Sequence, residues 1–89
     1  MDMQTLRKEI DLLDRELVQI FCRRMEVAAR IADYKKEHNL PISHPGREQE
    51  VLQKVSELAG SEMSDYAQSL YAEIFKLSKH YQSERNNSV

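Results

Sequence analysis

Residues 4–39, QTLRKEIDLLDRELVQIFCRRMEVAARIADYKKEHN, decide the fold. Apolar side chains recur through them as Leu6, Ile10, Leu13, Leu17, Phe21, Ala28 and Ile31, the spacing of one stripe along a helix. The pattern predicts a single helix from about Gln4 to Asn39, stopping before Pro41. Two bases interrupt the stripe. Arg24 falls one heptad after Leu17 and Lys35 one turn after Ile31, so both lie on nearly the same, inward face. The other bases of the helix have an acid three or four positions away: Arg7, Lys8 and Arg15 reach Asp11, Arg23 and Arg30 reach Glu26, and Lys36 reaches Asp33. Arg24 and Lys35 have none. A cation on a core stripe is costly unless another segment or a ligand supplies the negative charge.

Outward from this stretch the chain stays helical. It has 89 residues with only two Gly and two Pro, and is rich in helix formers. Leu40–Gly46 holds both prolines and reads as the main loop. A second helix is expected over about Arg47–Ala59, with Val51, Leu52, Val55 and Leu58 inward and Gly60 as its terminator. A third is expected from Ser61 or Ser64, either of which can cap it, to about Ser83. Its inward residues are Met63, Ala67, Leu70, Tyr71, Ile74 and Leu77, and 84–89 reads as a polar, disordered tail. The fold class is all-α: one domain, 1–89, with three helices, one of them very long.

Length then bears on assembly. A compact domain of this size is about 30 Å across, whereas a helix of about 36 residues is roughly 54 Å long. The long helix must project from its own globule while its apolar stripe continues. The expectation is a homodimer, an entwined helical pair in which each overhang completes its partner's core.

Bulk properties exclude several classes. A net charge of −2 and a pI near 5.9 give no general attraction to nucleic acid or to an anionic membrane. No apolar run approaches a membrane span, and no signal peptide is apparent, so a cytoplasmic setting is expected. Cys22, the only cysteine, is expected to pack as a small hydrophobe. His38, His44 and His80 lack the spacing of a metal site and read as solvent-facing or loop residues, and there is no Gly-rich phosphate loop. An enzyme built from these residues works by positioning and electrostatics, without a nucleophile, metal or cofactor.

The other helices repeat the interruption. Arg47 lies four before Val51, and Glu48 four before Leu52; Ser78 follows Ile74 by four, and Gln82 follows Ser78 by four. Each has a plainer reading. Ser78 and Gln82 could be an ordinary polar helix end, Arg47 could pair on the surface with Glu50, and the stems of Arg24 and Lys35 could snorkel to water. Taken jointly, Arg24, Lys35 and Arg47, with Glu48 as the one nearby acid, suggest a cationic pocket. Arg24 and Lys35 stand about 16 Å apart along the axis, a gap suited to a small dicarboxylate.

These residues resemble the all-helical chorismate mutases of the shikimate pathway. The resemblance spans about Leu6–Gln82 and rests on Leu-Arg-Lys-Glu-Ile-Asp-Leu-Leu-Asp (6–14), Arg-Arg-Met-Glu-Val-Ala (23–28), Lys35, Pro-Gly-Arg-Glu-Gln-Glu (45–50), Ser78 and Gln82. It implies an entwined dimer with shared sites that converts chorismate, a dicarboxylate, to prephenate through a chair-like pericyclic transition state. It further implies that Arg24 and the other protomer's Arg7 hold carboxylates, aided by Arg47. Lys35 and Gln82 would donate to the breaking ether oxygen, Glu48 would accept from the ring hydroxyl, and Ser78 would contact a carboxylate. At His44 the family often has Asp, and the backbone N–H there approaches the substrate hydroxyl. The competing readings are an isochorismate pyruvate lyase, which resembles this fold and pocket, and a non-catalytic helical dimerisation module.

Overall fold

The computed structural model describes residues 2–42 and 44–87, and among these the chain forms three helices and no strand: α1 (Met3–Glu37), α2 (Pro45–Ala59) and α3 (Ser64–Asn87). Asp2 caps α1, its carboxylate accepting from Thr5 N at 2.8 Å. That bond holds the Asp2 pKa below the usual carboxylate range. At the other end Lys35 and Lys36 sit against the negative end of the helix dipole. Asn39 turns left-handed (φ 55°), and Leu40 N bonds back to Lys35 O at 2.8 Å. α1 therefore ends two residues earlier than expected, because Asn39 is a terminator here, one of the few non-glycine residues that tolerate this conformation.

α2 begins two residues before Arg47. Pro45 and Gly46 belong to its first turn, where proline's missing N–H costs nothing. Gly60, at φ 83°, ends it as expected. α3 is not capped by a serine hydroxyl: Ala67 N bonds to Met63 O, and the Ser64 hydroxyl instead meets the Ser56 hydroxyl across the α2–α3 turn. α3 also runs past Ser83 to Asn87, so 84–87, expected in a disordered tail, are helical. Arg85 anchors this last turn on Asp33 of α1 at 3.2 Å. Ser88 and Val89 lie outside the described residues.

α3 packs against both α1 and α2, which do not pack against each other. The buried apolar residues are small: Ala28, Ala29 and Ala32 of α1, and Val55 of α2. Small side chains let α1 and α3 approach closely, but only along the second half of α1. Leu6, Ile10, Leu13 and Leu17 of the predicted stripe are exposed, as are Leu12, Val18 and Ile20. Leu58 is corrected from inward to 87 % exposed; it repeats the position of Val51 one heptad on, where nothing of its own chain reaches. Met63, Leu70 and Leu77 are likewise exposed, because the packed face of α3 runs through Tyr71, Ile74, Phe75, Ser78 and Gln82. The molecule extends 54 × 30 × 14 Å with a radius of gyration of 16.2 Å, against about 12 Å for a compact chain of this length.

Candidate active site

The second half of α1, the start of α2 and the second half of α3 enclose a pocket of about 330 Å³. Its apolar wall comes from Val27, Ala28, Ile31, Ile42, Val51 and Phe75. Its polar groups are Arg24, Lys35, His44, Arg47, Glu48, Ser78, Lys79 and Gln82. Seven of the eight residues singled out from sequence thus meet in one cavity, drawn from three helices and a loop. The eighth, Arg7, does not. It is exposed on the projecting half of α1, roughly 25 Å along the axis from Arg24 at 1.5 Å per residue.

Each cation is held in its own way. The Arg24 guanidinium lies over the rings of Tyr71 and Phe75, at 5.5 and 5.8 Å from their centroids, and makes no ion pair among the described residues. Aromatic faces stabilise the cation without neutralising it, so its hydrogen-bonding edge stays available. Lys35 Nζ donates to Ile42 O at 2.8 Å, which ties the loop after α1 to the pocket wall and leaves two ammonium protons. Arg47 pairs with Glu50 at 3.3 Å, the plain surface contact the spacing allowed, while also lining the pocket.

Ser78 and Gln82 are not a solvated helix end. They are 5 % and 7 % exposed, the buried polar residues among those described. The Ser78 hydroxyl donates weakly to Met25 Sδ at 3.5 Å, and Gln82 Oε1 is buried with no hydrogen-bond partner among the described residues. A buried amide left short of partners costs stability, and in a pocket wall it is a group a ligand can use. His44 caps α2: its Nδ1 accepts from Arg47 N at 3.0 Å. Asp is a favoured N-cap, so the imidazole performs the local task of the Asp that the resemblance leads one to expect, while the His44 carbonyl accepts from Glu48 N at 3.1 Å.

Lys79 was missed. It lines the pocket and bridges to Glu48 at 3.2 Å, so the acid of the pocket carries an ion pair within the chain. The signal was present, since Lys79 is next to Ser78 on α3, but a lysine beside a stripe reads as a solvated flank. The local pairs expected along α1 do not form among the described residues; Asp33, assigned to Lys36, takes Arg85 instead. Cys22, expected to be packed, is exposed, because its part of α1 is uncovered. His38 stacks on Tyr34 and His80 pairs with Glu84, both exposed, and no metal-binding group of side chains occurs among the described residues.

Comparison with known families matches residues 6–83 to the model for chorismate mutase type II. The chain belongs to that family. The match includes every polar residue of the pocket and Arg7. Among the relatives of this chorismate mutase-type domain, the T-protein of Haemophilus influenzae is 47 % identical over 51 residues, 57 % of this chain and 14 % of the relative. The bifunctional chorismate mutase/prephenate dehydratase of Aquifex aeolicus is 40 % identical over 57 residues, 64 % of this chain and 16 % of the relative. The 4-amino-4-deoxychorismate mutase of Streptomyces venezuelae is 44 % identical over 46 residues, 52 % of this chain and 45 % of the relative. The chain thus spans less than half the length of these relatives. No solved structure gave a significant match.

Proposed function

We propose that the chain is a chorismate mutase, rearranging chorismate to prephenate in a pocket completed by a second copy of itself. The observation that carries this reading is the juxtaposition of Arg24, Lys35, Arg47 and the buried, under-bonded Gln82 around one apolar-walled cavity, in a chain of this family. The reaction is unimolecular and transfers no proton. The protein has only to select the compact conformer and stabilise charge developing on the ether oxygen, for which ~8 kcal/mol reaches the low end of enzymatic acceleration.

Arg24 and Arg47 bind carboxylates by charge-assisted hydrogen bonds, and Ser78 adds a hydroxyl. Lys35 keeps two ammonium protons after bonding Ile42 O and donates to the ether oxygen, and the Gln82 amide NH₂ is the second donor. Such donors act at the breaking bond more strongly than on the ground state, which is the requirement for raising turnover. Glu48 accepts from the ring hydroxyl, beside the His44 backbone. Arg7 enters from the partner subunit. The long apolar row of α1, exposed in the single chain from Leu6 to Ile20, is the surface that a two-fold partner covers. No helix among the described residues is long and apolar enough to cross a membrane, and we place the enzyme in the cytoplasm.

The test is consumption of chorismate by the purified protein, with products identified and isochorismate assayed in parallel. Prephenate supports the proposal. Pyruvate released from isochorismate instead would make the protein a lyase, and turnover of neither would leave a helical pairing module.

A further inference from the structure

The one acid of the pocket carries its own counter-ion. Lys79 Nζ lies 3.2 Å from Glu48 Oε2, the two side chains being 40 % and 26 % exposed. Glu48 is in the first turn of α2 and Lys79 in the second half of α3, so the pair spans the seam between two helices. With Phe75, the same two residues also line a separate cleft of about 380 Å³ that continues past Leu52 and Ala72. The ion pair is therefore the partition between the pocket and that cleft, and both of its charges are felt by whatever the pocket holds.

We propose that Lys79 sets substrate specificity: through its pair with Glu48 it makes the pocket accept a ring hydroxyl and reject a ring ammonium at the same substrate position. This deepens the mutase reading and rests on it. An unpaired carboxylate facing a ligand prefers a cationic donor to a neutral one. An amine on a saturated ring carbon is protonated at neutral pH, as the lysine side chain is. An ammonium beside Glu48 would compete with Lys79 for the carboxylate and be repelled by it. A hydroxyl needs only one of the lone pairs that the single contact with Lys79 leaves open.

The pocket's charge points the same way. Arg47 is paired with Glu50 and Lys79 with Glu48, which leaves Arg24 and Lys35 without an acid among the described residues, a cationic surplus that suits a dianion and is poorly matched to a ligand with a positive charge of its own. Both substrate chemistries occur among the relatives, one of which is named as a mutase of 4-amino-4-deoxychorismate, the amine counterpart of the hydroxyl compound.

The experiment compares kcat/KM for chorismate and for 4-amino-4-deoxychorismate in the full chain and in Lys79→Met, Lys79→Gln and Lys79→Arg. The wild type should prefer chorismate. The two neutral variants should raise the amine-to-hydroxyl ratio about tenfold or more, while Lys79→Arg, which keeps the charge and the pair, should hold the wild-type ratio. Because each ratio is taken within one preparation, partial misfolding cancels from it. An unchanged ratio in the neutral variants, with an active wild type, overturns the assignment. Loss of all turnover in both neutral variants overturns it too, since Lys79 would then be required rather than selective. A wild type inactive on both substrates would show the different failure, that of the mutase reading itself.

Discussion

In the proposed mechanism Lys35 serves structure and chemistry together. It sits in the last turn of α1, where its charge suits the helix dipole, and its Nζ reaches Ile42 O at 2.8 Å. The contact closes the loop over the pocket and presets the ammonium at the wall before any ligand arrives, so little reorganisation is needed at the moment of reaction. Lys35→Ala should lower turnover by about 2.7–4 kcal/mol, the loss seen when one preorganised oxyanion donor is removed. Its thermal unfolding should shift little, because only one hydrogen bond to a loop carbonyl is lost. Steady-state kinetics beside a melting curve check both halves; near-normal turnover would sink the role given to Lys35. Arg24 is preset differently, resting on Tyr71 and Phe75 rather than on an acid.

At the scale of the element, the helix ends place the site. Asn39 and His38 stop α1 so that Lys35 falls in its final turn, and His44 starts α2 so that Glu48 falls in its first. The start of α1 carries a pH-dependent cap. Hydrogen bonding from Thr5 N lowers the folded-state pKa of Asp2, so the unfolded chain takes up the proton first as pH falls. The cap's contribution is accordingly complete above the ordinary carboxylate value and is lost as pH drops through the lower folded value. Comparing helix content by circular dichroism in wild type and Asp2→Ala should reveal a difference near pH 6 that closes by about pH 2. A difference persisting at the acid end would show that the carboxylate is not the cap. Catalysis should not follow this titration, and the Gln82 amide does not ionise, so activity should hold across neutral pH.

At the scale of the whole molecule, the single chain leaves a long apolar row of α1 exposed. The 89-residue protein extends over 54 Å with Leu6, Ile10, Leu13 and Leu17 exposed, while its buried apolar residues are three alanines and one valine. In the proposed dimer, covering each of these Leu and Ile side chains is worth about 1.5–3 kcal/mol. Pairing of the long helices would also bring Arg7 of the partner subunit to a pocket that its own chain keeps it from. Arg7→Ala and Arg24→Ala should each be inactive. Unfolded together and refolded, they should regain about one site in four, because random pairing gives half heterodimers with one intact site each. Mass spectrometry establishes that heterodimers have formed; if they have and activity stays absent, Arg7 does not act across an interface.

The sequence by itself determined the three helices, the near-absence of breakers within them, and six of the eight polar residues that line the pocket, with His44 added by the family resemblance. It could do so because helical periodicity is a local property: a cation at a stripe position is visible without knowing what it faces. The tertiary structure alone decided the pairs between helices. Lys79 with Glu48, Asp33 with Arg85 rather than Lys36, and Arg24 on Tyr71 and Phe75 all join residues far apart in the chain, where no spacing rule applies. The exposed Leu58 and the buried Gln82 belong to the same class. Whether a stripe position is covered depends on where the neighbouring helix ends, and that is settled by packing rather than by the order of residues along one helix.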